Sequence, residues 1–362
     1  MAENLYTIES KILSQAITKC LSVISLGERS DTNVVTLVFS KKGLAIETIN
    51  SIAEFSSDLP VKVNNGFKNE VRVSIIPELL LSYTKSYKEL TLNPRKDKMD
   101  ITAGKQFNAT VFYIGQTEPV VRRKFKDSEN ISKVTKAAST IIPTISGIKN
   151  RTDGQPLGVI FSWGDSVEVT VGDTHHAIVV DAAIKTKSSN TLTTSLPNIQ
   201  ILMNIGNNFA FTEDRFYAYS DTEYLAMANK IENLFLADMA RSVIKEGKKT
   251  TKFVVKTDEF KSVIDTITSA IAETEVVQFN IGKDKVVLST NTSAGNAKAV
   301  IKHGGLKGKP AVLKSTIHHL RDCLSAMKEK TTTINLMENT MVFESSTKEI
   351  KISAALTIIG VN

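Results

Sequence analysis

The stretch PLGVIFSWGDSVEVTVGDTHHAIVV, residues 156–180, decides the fold class of this chain. It holds three runs rich in valine and isoleucine, separated by a polar turn at WGDS and by a second turn at Asp173. Short apolar runs bounded by glycine and aspartate are typical of antiparallel strands joined by tight turns. The stretch therefore predicts three consecutive antiparallel strands.

The same pattern recurs in NVVTLVFSKKGLAIETINSIAEF (33–55) and in EVVQFNIGKDKVVLSTNTSAGNAKAVI (275–301). In both, a polar turn separates the first two runs, and a second turn follows at Asn50 or Asn291. Self-similarity at a fixed period is the sequence signature of a protein built from repeats. The strand pattern therefore indicates one unit used three times.

Helix patterns support the same division. A long helix with apolar residues three and four positions apart is predicted before each strand stretch, over 8–24, 128–141 and 258–271. A shorter helix is predicted after each stretch, from Ser74, Ser195 and Ser315, and three more strands close each unit.

The period of about 120 residues predicts three α+β domains. Their boundaries are placed at 1–118 (repeat 1), 119–250 (repeat 2) and 251–362 (repeat 3). Three unrelated α+β domains of similar size are the alternative. The recurring order of helices and turns favours the repeat.

Composition favours a globular protein with buried cores, since 41% of the 362 residues are hydrophobic and 23% are charged. The formal net charge is +7, and the positive excess is spread along the chain. Such an excess suits a nucleic-acid partner only if the basic residues share a face. Neither a membrane span nor a secretory signal is expected. We expect a cytoplasmic protein in which Cys20 and Cys323 stay reduced.

Catalytic motifs are missing from the sequence. The stretch HGGLKGKPAV (303–312) resembles a phosphate-binding loop. However, Pro310 stands where the Ser or Thr that holds magnesium is required. We interpret this stretch as a turn between a strand and a helix, and we expect no enzymatic activity and no cofactor.

Two histidine pairs, His175-His176 and His318-His319, are the candidate metal ligands. Adjacent residues on a strand point to opposite faces, and adjacent residues on a helix diverge by about 100°. Neither pair has a further histidine at the H-x-x-x-H spacing. Taken singly, the pairs predict surface or partner-contact histidines and no metal site.

The predicted helices carry polar faces rich in lysine and hydroxyl groups and poor in acids. Such faces suit the phosphate backbone of a nucleic acid without reading its bases, although a plain solvated face is the alternative. The candidate DNA-facing residues on or beside the helices are Lys11, Lys85, Lys133, Lys136, Lys261, Lys314 and Arg321.

Two stretches, VEVTVGDTHHAIVV (167–180) and HHLRDCLSAMKEKTTTINLMENTMVFESS (318–346), resemble the bacterial-type β sliding clamps of replicative DNA polymerases, including phage-encoded relatives. The resemblance covers the whole chain in length and in three-domain order. It implies an α+β fold of three clamp domains, each with two helices packed on antiparallel sheets. Two chains would associate head to tail as a ring around double-stranded DNA. The implied partners are a DNA polymerase, a clamp-loader ATPase and a second copy of the chain.

The resemblance also assigns residues to roles. A pocket for a partner's peptide would include Thr174, His175, His176, Ala177, Met239, Arg241, Ser242, Val243, Ile358 and Ile359. Loops that contact DNA would include Arg29, Lys149 and Arg151. The ring interface would include Phe107, Ala109, Ile267 and Ile271, with core packing as the alternative for these residues.

Two other functional classes remain open at this point. One is a repeat protein that binds nucleic acid on an open surface without closing a ring. The other is a nucleic-acid-processing enzyme whose site has no recognisable motif. Self-association through the terminal domains separates the clamp from the first, and metal-dependent nuclease activity would identify the second.

Overall fold

The protein is described from a computed structural model. The described residues are 3–26, 33–115, 117–125, 131–145, 158–173, 175–185, 189–206, 208–212, 214–228, 241–270, 276–292 and 295–358. The chain divides into two compact units. Unit 1 comprises Met1–Ile131 and Gln200–Asn229, and unit 2 comprises Ser132–Ile199 and Lys230–Asn362.

Each predicted repeat contains one long and one short helix. The helices are α1 (Ser10–Ile24) and α2 (Pro77–Thr84) in repeat 1, α3 (Ile131–Ile145) and α4 (Leu196–Ile205) in repeat 2, and α5 (Thr257–Ala270) and α6 (Ile317–Ala326) in repeat 3. A further helical stretch covers 241–246. Among the helices within the described residues, none is long and apolar enough to span a bilayer.

Antiparallel strands make up the rest of each repeat. Repeat 1 contains β1 (Leu5–Glu9), β2 (Val35–Ser40), β3 (Gly43–Ile49), β4 (Ala53–Leu59), β5 (Lys62–Asn64), β6 (Val71–Ile75), β7 (Glu89–Pro94), β8 (Lys98–Ala103) and β9 (Phe107–Phe112). Repeat 2 contains β10 (Gly158–Trp163), β11 (Val167–Gly172), β12 (His176–Ala182), β13 (Asn190–Ser195), β14 (Asn208–Phe211), β15 (Arg215–Tyr219) and β16 (Glu223–Ala228). Repeat 3 contains β17 (Thr251–Lys256), β18 (Val276–Ile281), β19 (Lys285–Thr292), β20 (Gly295–Lys302), β21 (Gly304–Lys307), β22 (Ala311–Thr316), β23 (Thr331–Leu336), β24 (Thr340–Ser346) and β25 (Ile350–Thr357). The α+β class is confirmed.

One sequence interpretation was wrong. The stretch 303–312 is more than a turn, because β21 within it pairs with β17. Glycines hid this strand, since they give no apolar alternation. Gly308 has φ of 109°, and a Cβ there would lie 2.3 Å from the carbonyl oxygen of Thr250. Only glycine tolerates this combination of backbone conformation and close approach.

Unit 1 contains two sheets, in the strand orders β5-β1-β7-β8-β9 and β14-β15-β16-β4-β3-β2-β6. Helix α1 packs on β3 and β4 and against α2. Its buried side chains include Leu13, Ile17 and Cys20, at the three- and four-residue spacing that the sequence predicted. The polar face of α1 is partly used within the unit, because Lys19 Nζ lies 2.6 Å from Glu223 Oε1.

Unit 2 also contains two sheets, in the orders β13-β10-β11-β12-β25-β24-β23-β17-β21 and β20-β19-β18-β22. Helix α6 packs on β12 and β25, and α5 packs on β20 and against α6. Phe260, Ile264 and Ile267 are buried beneath α5. Helix α6 buries Leu320, Cys323 and Leu324.

The largest sheet of each unit joins strands of two predicted repeats. In unit 1, β4 of repeat 1 pairs with β16 of repeat 2. In unit 2, β12 of repeat 2 pairs with β25 of repeat 3. Each pair couples the third strand after the long helix of one repeat, called its third strand from here on, to the last strand of the next. The two units consequently divide repeat 2 between them, and the boundaries at 118 and 250 remain a prediction.

The two junctions have the same register. Asn50 and Asp173 each begin the turn that leads into the third strand, through backbone bonds from Asn50 N to Ala53 O and from Asp173 N to His176 O. Counted from these turns, Ala53 faces Met227 and His176 faces Leu356. Each junction also has one further backbone hydrogen bond just beyond its ladder, at the same position in both. Ala228 N donates to Ile52 O in the first, and Thr357 N donates to His175 O in the second.

Glu344 offers a test of the unit 2 sheet. Lys249 Nζ donates to its carboxylate at 3.2 and 3.1 Å, and Lys351 Nζ lies 3.6 Å away. Burial acts to raise the pKa of Glu344, but these cations and the Asn335 amide lower it on balance. A carboxylate with a depressed pKa stabilises the fold above its unfolded pKa of about 4.3, and this contribution is lost as the pH falls through the folded pKa.

We expect Glu344→Gln to lower the free energy of unfolding at pH 7 by about 1 kcal/mol, because two partly exposed cations lose their partner. Urea unfolding between pH 7 and pH 3 measures this. The difference from the parent protein should begin to shrink below about pH 4.3, where Glu344 takes up a proton in the unfolded chain, and should disappear below its lower folded pKa. Glu349→Gln, at an exposed position in the turn between β24 and β25, is the control. A deficit that persists unchanged at low pH would contradict the ion-pair account.

Candidate binding site beside the Asp173 turn

The turn that leads into β12 is fixed by one carboxylate. Asp173 Oδ1 accepts hydrogen bonds from His175 N at 2.7 Å and from His176 N at 2.9 Å, and it lies 2.9 Å from His176 Nδ1. Burial acts to raise the pKa of Asp173, but the bonds to His176 and to the two backbone amides hold it well below its usual range. The turn is therefore anchored by an ionised aspartate.

The two histidines of this turn point in different directions, as strand geometry predicts. His175 is exposed, whereas His176 is 3% exposed. Ala177, the next residue of β12, is also buried. Of the predicted pocket residues at this turn, His175 therefore presents its side chain to solvent, whereas His176 and Ala177 are buried on opposite faces of β12.

The end of β25 lies beside the turn because of the β12–β25 pairing. Thr357 N donates to His175 O at 2.8 Å, and Ile358 N donates to Asn339 O at 3.0 Å. Ile358 is 6% exposed. The fold thus brings Ile358 to the same end of the sheet as His175. Thr174, Met239 and Ile359 lie outside the described residues.

The 241–246 segment packs beside β11 and β12, further from the Asp173 turn. Arg241 Nε lies 2.7 Å from Glu168 Oε1, and Lys245 Nζ lies 3.0 Å from Glu168 Oε2. Ile244 packs in a cluster with Val179, Met337, Val342 and Ala355. Ser242 and Val243 are exposed.

Arg241 is not at the Asp173 turn. Glu168 faces Asp181 across the β11–β12 ladder. Asp181 lies several residues further along β12 than His176, and each strand residue advances the chain by about 3.4 Å. The predicted pocket residues therefore line an extended strip along β12 instead of a single point.

Helix α6 adds residues to the turn that the sequence analysis did not assign. His176 Nε2 lies 3.6 Å from Asp322 Oδ2, and His319 Nε2 lies 4.0 Å from Asp173 Oδ2. The ring of His319 contacts those of His175, His176 and His318, with centroids 5.2, 4.8 and 4.0 Å apart. The two histidine pairs, weighed separately in the sequence, form one cluster in the fold.

The candidate DNA-facing residues differ in how they are engaged. Lys11, Lys85, Lys136 and Lys314 are exposed. Lys261 Nζ donates to Met327 O at 2.7 Å, and burial, with the neighbouring Lys328, lowers its pKa. Arg321 Nε lies 3.6 Å from Asp265 Oδ1. The side chain of Lys133, and all of Arg29, Lys149 and Arg151, lie outside the described residues.

The predicted ring-interface residues lie in two places. Phe107 and Ala109 lie on β9, which is an edge strand of its sheet, and the Phe107 ring contacts Tyr83 and Tyr87 with centroids 5.1 and 4.7 Å apart. Ile267 is 1% exposed and belongs to the core beneath α5, which is the alternative that the sequence left open for it. Ile271 lies outside the described residues.

Glu168 tests how the 241–246 segment is held. Its carboxylate is 5% exposed, whereas Arg241 and Lys245 are 40% and 49% exposed. We expect Glu168→Gln to loosen the segment by about 1 kcal/mol, because both cations lose their counter-charge but remain hydrated. Hydrogen exchange of the backbone amides in 241–246 should then speed up by about fivefold. Glu246→Gln, in the same segment but exposed, serves as the control; equal exchange in the two variants would show that Glu168 does not anchor it.

Comparisons with known proteins identify the fold. No protein-family model and no curated protein sequence match this chain.

Solved structures match it over its full length. The DNA polymerase sliding clamp from Bacillus subtilis is 13% identical, with 99% of this chain and 100% of that chain covered and a TM-score of 0.78. The DNA polymerase III β chain from Streptococcus pneumoniae is 11% identical, with the same coverage and a TM-score of 0.80. The DNA polymerase III β subunit from Thermotoga maritima is 12% identical, again with the same coverage, and has a TM-score of 0.77. The chain therefore has the fold of the bacterial DNA polymerase sliding clamps.

Proposed function

We propose that this chain is a DNA sliding clamp. Two copies would close head to tail into a ring around duplex DNA and tether a DNA polymerase to it, without catalysing a reaction. The full-length likeness to solved sliding clamps supports this function. The observation that carries it, however, lies in the strand pairing of this chain itself.

The pairing rule between repeats leaves one junction open. The third strand of repeat 1 pairs with the last strand of repeat 2, and the third strand of repeat 2 pairs with the last strand of repeat 3. Continued once more, the rule pairs the third strand of repeat 3, β20, with the last strand of repeat 1, β9. Both are edge strands, and neither has a second partner among the described residues. A second copy of the chain can supply each missing partner, which closes the ring with two equivalent junctions.

The register of the open junction follows from equivalent turns. In repeat 3, Thr292 faces Gly295 across the corresponding turn. Asn50 and Ala53, and Asp173 and His176, flank the turns of repeats 1 and 2 in the same way, so Gly295 is the equivalent of Ala53 and His176. Lys98, Arg215 and Thr340 each follow a turn of the same kind in their repeat. They face Phe112, Ala228 and Thr357, respectively, on the last strand of the repeat. Phe112 is therefore the equivalent of Ala228 and Thr357. The rule therefore pairs Gly295, Asn296 and Ala297 of one copy with Val111, Thr110 and Ala109 of the other.

Ala109 and Ala297 are the best pair for a covalent test. In the first junction, Ala228 N bonds to Ile52 O and Asp58 N bonds to Thr222 O, so alternate pairs between them are not hydrogen-bonded. The Ala297–Ala109 pair is equivalent to Phe55–Leu225, one of these non-hydrogen-bonded pairs. Cβ atoms in such pairs approach to about 4.5–5.5 Å, near the range that a disulfide needs.

We expect Ala109→Cys combined with Ala297→Cys to cross-link under mild oxidation into a species of twice the 39.6 kDa chain mass. Non-reducing electrophoresis measures the yield. Cys20 and Cys323 are buried and should not compete. Ala109→Cys with Lys298→Cys, one residue out of register, is the matched control and should cross-link less. Equal yields would refute the register, and monomers in both would refute the junction.

DNA would be held by topology and touched lightly. Lys11, Lys85, Lys136 and Lys314 present exposed ammonium groups, and the chain carries only +7 overall. Each phosphate contact adds to the salt-dependent binding of a protein to DNA, so many strong contacts would hinder movement along the duplex. Weak contacts combined with a closed ring permit sliding and still keep a tethered polymerase at a high effective concentration.

The polymerase would bind the strip along β12. We infer that a short peptide of the partner lies beside His175 and Ile358 and extends toward Arg241. Ala177 and Ile244, on the face of β12 that carries Val179, supply buried support beneath it, while His176 packs against α6. The other predicted pocket residues, Thr174, Met239, Ser242, Val243 and Ile359, complete this proposal. A clamp loader that opens the ring would compete for the same strip.

Encirclement can be tested without knowing the partner polymerase. Oxidising the Ala109→Cys, Ala297→Cys protein in the presence of nicked circular plasmid should trap closed rings on the DNA. These complexes should survive high salt during gel filtration, because a ring cannot leave a circle, and should fall apart when a restriction enzyme linearises the plasmid. Protein that leaves the circle at high salt would instead favour the open-surface binder. The same protein kept reduced is the control.

A further inference from the structure

The cluster at the Asp173 turn contains a candidate metal site. One ligand atom from each of Asp173, His176 and His319 lies within 4.8 Å of the other two. His176 is 3% exposed and His319 is 6% exposed. These three residues come from the turn before β12 and from α6, so sequence spacing gives no indication of the site.

The ring of His176 lies between two carboxylates. Its Nδ1 is 2.9 Å from Asp173 Oδ1, and its Nε2 is 3.6 Å from Asp322 Oδ2. A neutral imidazole has one N–H, so it can donate to only one of two carboxylates and turns a lone pair toward the other. Either a second proton on the ring or a metal ion at one ring nitrogen makes both sides favourable. With the N–H at Nε2 directed to Asp322, Nδ1 is left to bind a metal ion beside Asp173.

His319 is oriented in a complementary way. Its Nδ1 lies 2.6 Å from Thr316 Oγ1, and its Nε2 lies 4.0 Å from Asp173 Oδ2. Metal-binding histidines generally have the second ring nitrogen held by an oxygen, which fixes the ring and the tautomer. Asp322 fills this role for His176, and Thr316 fills it for His319.

The turn itself does not need these groups. In the equivalent turn of repeat 1, Asn50 Oδ1 accepts from Ile52 N and Ala53 N at 2.8 and 2.7 Å. Ala53, which is 2% exposed, takes the place of His176. An amide and a methyl group are therefore enough to build the turn. The carboxylate and the buried imidazole at the second turn call for a separate explanation.

The separations fit a small divalent ion. Zn²⁺ bonds of about 2.0–2.1 Å in a tetrahedron place ligand atoms about 3.3 Å apart. The observed 2.9 Å and 4.0 Å lie on either side of this value. The three ligand atoms lie within 4.8 Å of one another, so side-chain shifts of up to about 1.5 Å would bring them around one ion, and water would take the fourth position. Two imidazoles and one carboxylate form a donor set typical of Zn²⁺ and similar transition metals.

We propose that Asp173, His176 and His319 bind one divalent transition-metal ion, with Zn²⁺ the best match to two nitrogen ligands and one oxygen ligand. The ion would join the Asp173 turn to the start of α6 and so stiffen the exposed end of β12. This site differs from the expectation of no metal, which treated the histidine pairs one at a time. It is independent of the proposed clamp function, because it needs only the fold of unit 2.

Calorimetric titration of ZnCl₂ into the untagged, EDTA-treated full chain at neutral pH tests the site. We expect one Zn²⁺ per chain. His319→Gln should weaken binding by at least tenfold, since even loss of a group that only orients a ligand weakens binding by about 10–100-fold. Thr316→Val should fall within that range. His318→Gln, next to the site but outside the ligand set, is the matched control and should keep the parent affinity.

Asp173→Asn guards against a misfolded variant. The amide should preserve the turn, as Asn50 does in repeat 1, while the charged ligand is lost. We expect a folded protein, by circular dichroism, whose Zn²⁺ affinity has dropped and whose melting temperature no longer rises with ZnCl₂. The absence of Zn²⁺ binding by the folded parent chain would overturn the proposal. Equal affinity in the parent, His319→Gln and Asp173→Asn proteins would also overturn it.

Discussion

The structure depends on antiparallel pairing between the third strand of one repeat and the last strand of the next. This pairing forms β4–β16 in unit 1 and β12–β25 in unit 2. Each junction continues a sheet across a repeat boundary, so backbone hydrogen bonds join the repeats instead of side chains alone. The same register at both junctions also determines what the free edges β9 and β20 can accept. Ring closure in the proposed clamp is the third use of one interaction.

The sequence predicted the elements better than their partners. Alternation in 156–180 and helical spacing in 8–24 are local properties, and both matched the fold. The two cross-repeat junctions are not local, because no residue of β12 indicates that β25 is its neighbour. Strand β21 was missed because GGLK has no apolar alternation. For the candidate site, the sequence named His175, His176 and Ile358 through a family resemblance, whereas Asp322 and Thr316 carried no signal that spacing could reveal.

Local electrostatics narrow the set of residues that would contact DNA in the proposed clamp. Lys19, Lys261 and Arg321 lie on helix faces that the sequence marked as basic, yet each has a partner inside its own unit: Glu223, Met327 O or Asp265. A lysine already held by a carboxylate or carbonyl gains less from a phosphate, because that partner must be given up. Of the predicted DNA-facing lysines whose side chains the structure describes, four remain exposed, Lys11, Lys85, Lys136 and Lys314, which agrees with contacts weak enough to permit sliding in the proposed clamp.

An open edge strand is a hazard for any protein, and the two edges of this chain are protected unequally. Strand β20 carries Lys298 and Lys302, charges that discourage pairing with arbitrary strands, whereas β9 carries no charged residue. Large apolar side chains are exposed on both, with Phe112 at 68% and Val300 at 52%. By contrast, the internal β4–β16 junction is reinforced by Arg215, whose Nη1 lies 2.7 Å from Glu54 Oε1. In the proposed clamp, the ring would have to open to admit DNA, so its intermolecular junction would have to be the weaker one. The pairing of β9, which has no charged residue, with β20, which has two lysines, meets that requirement because no ion pair strengthens it. The lysines of β20 still discourage pairing with other strands.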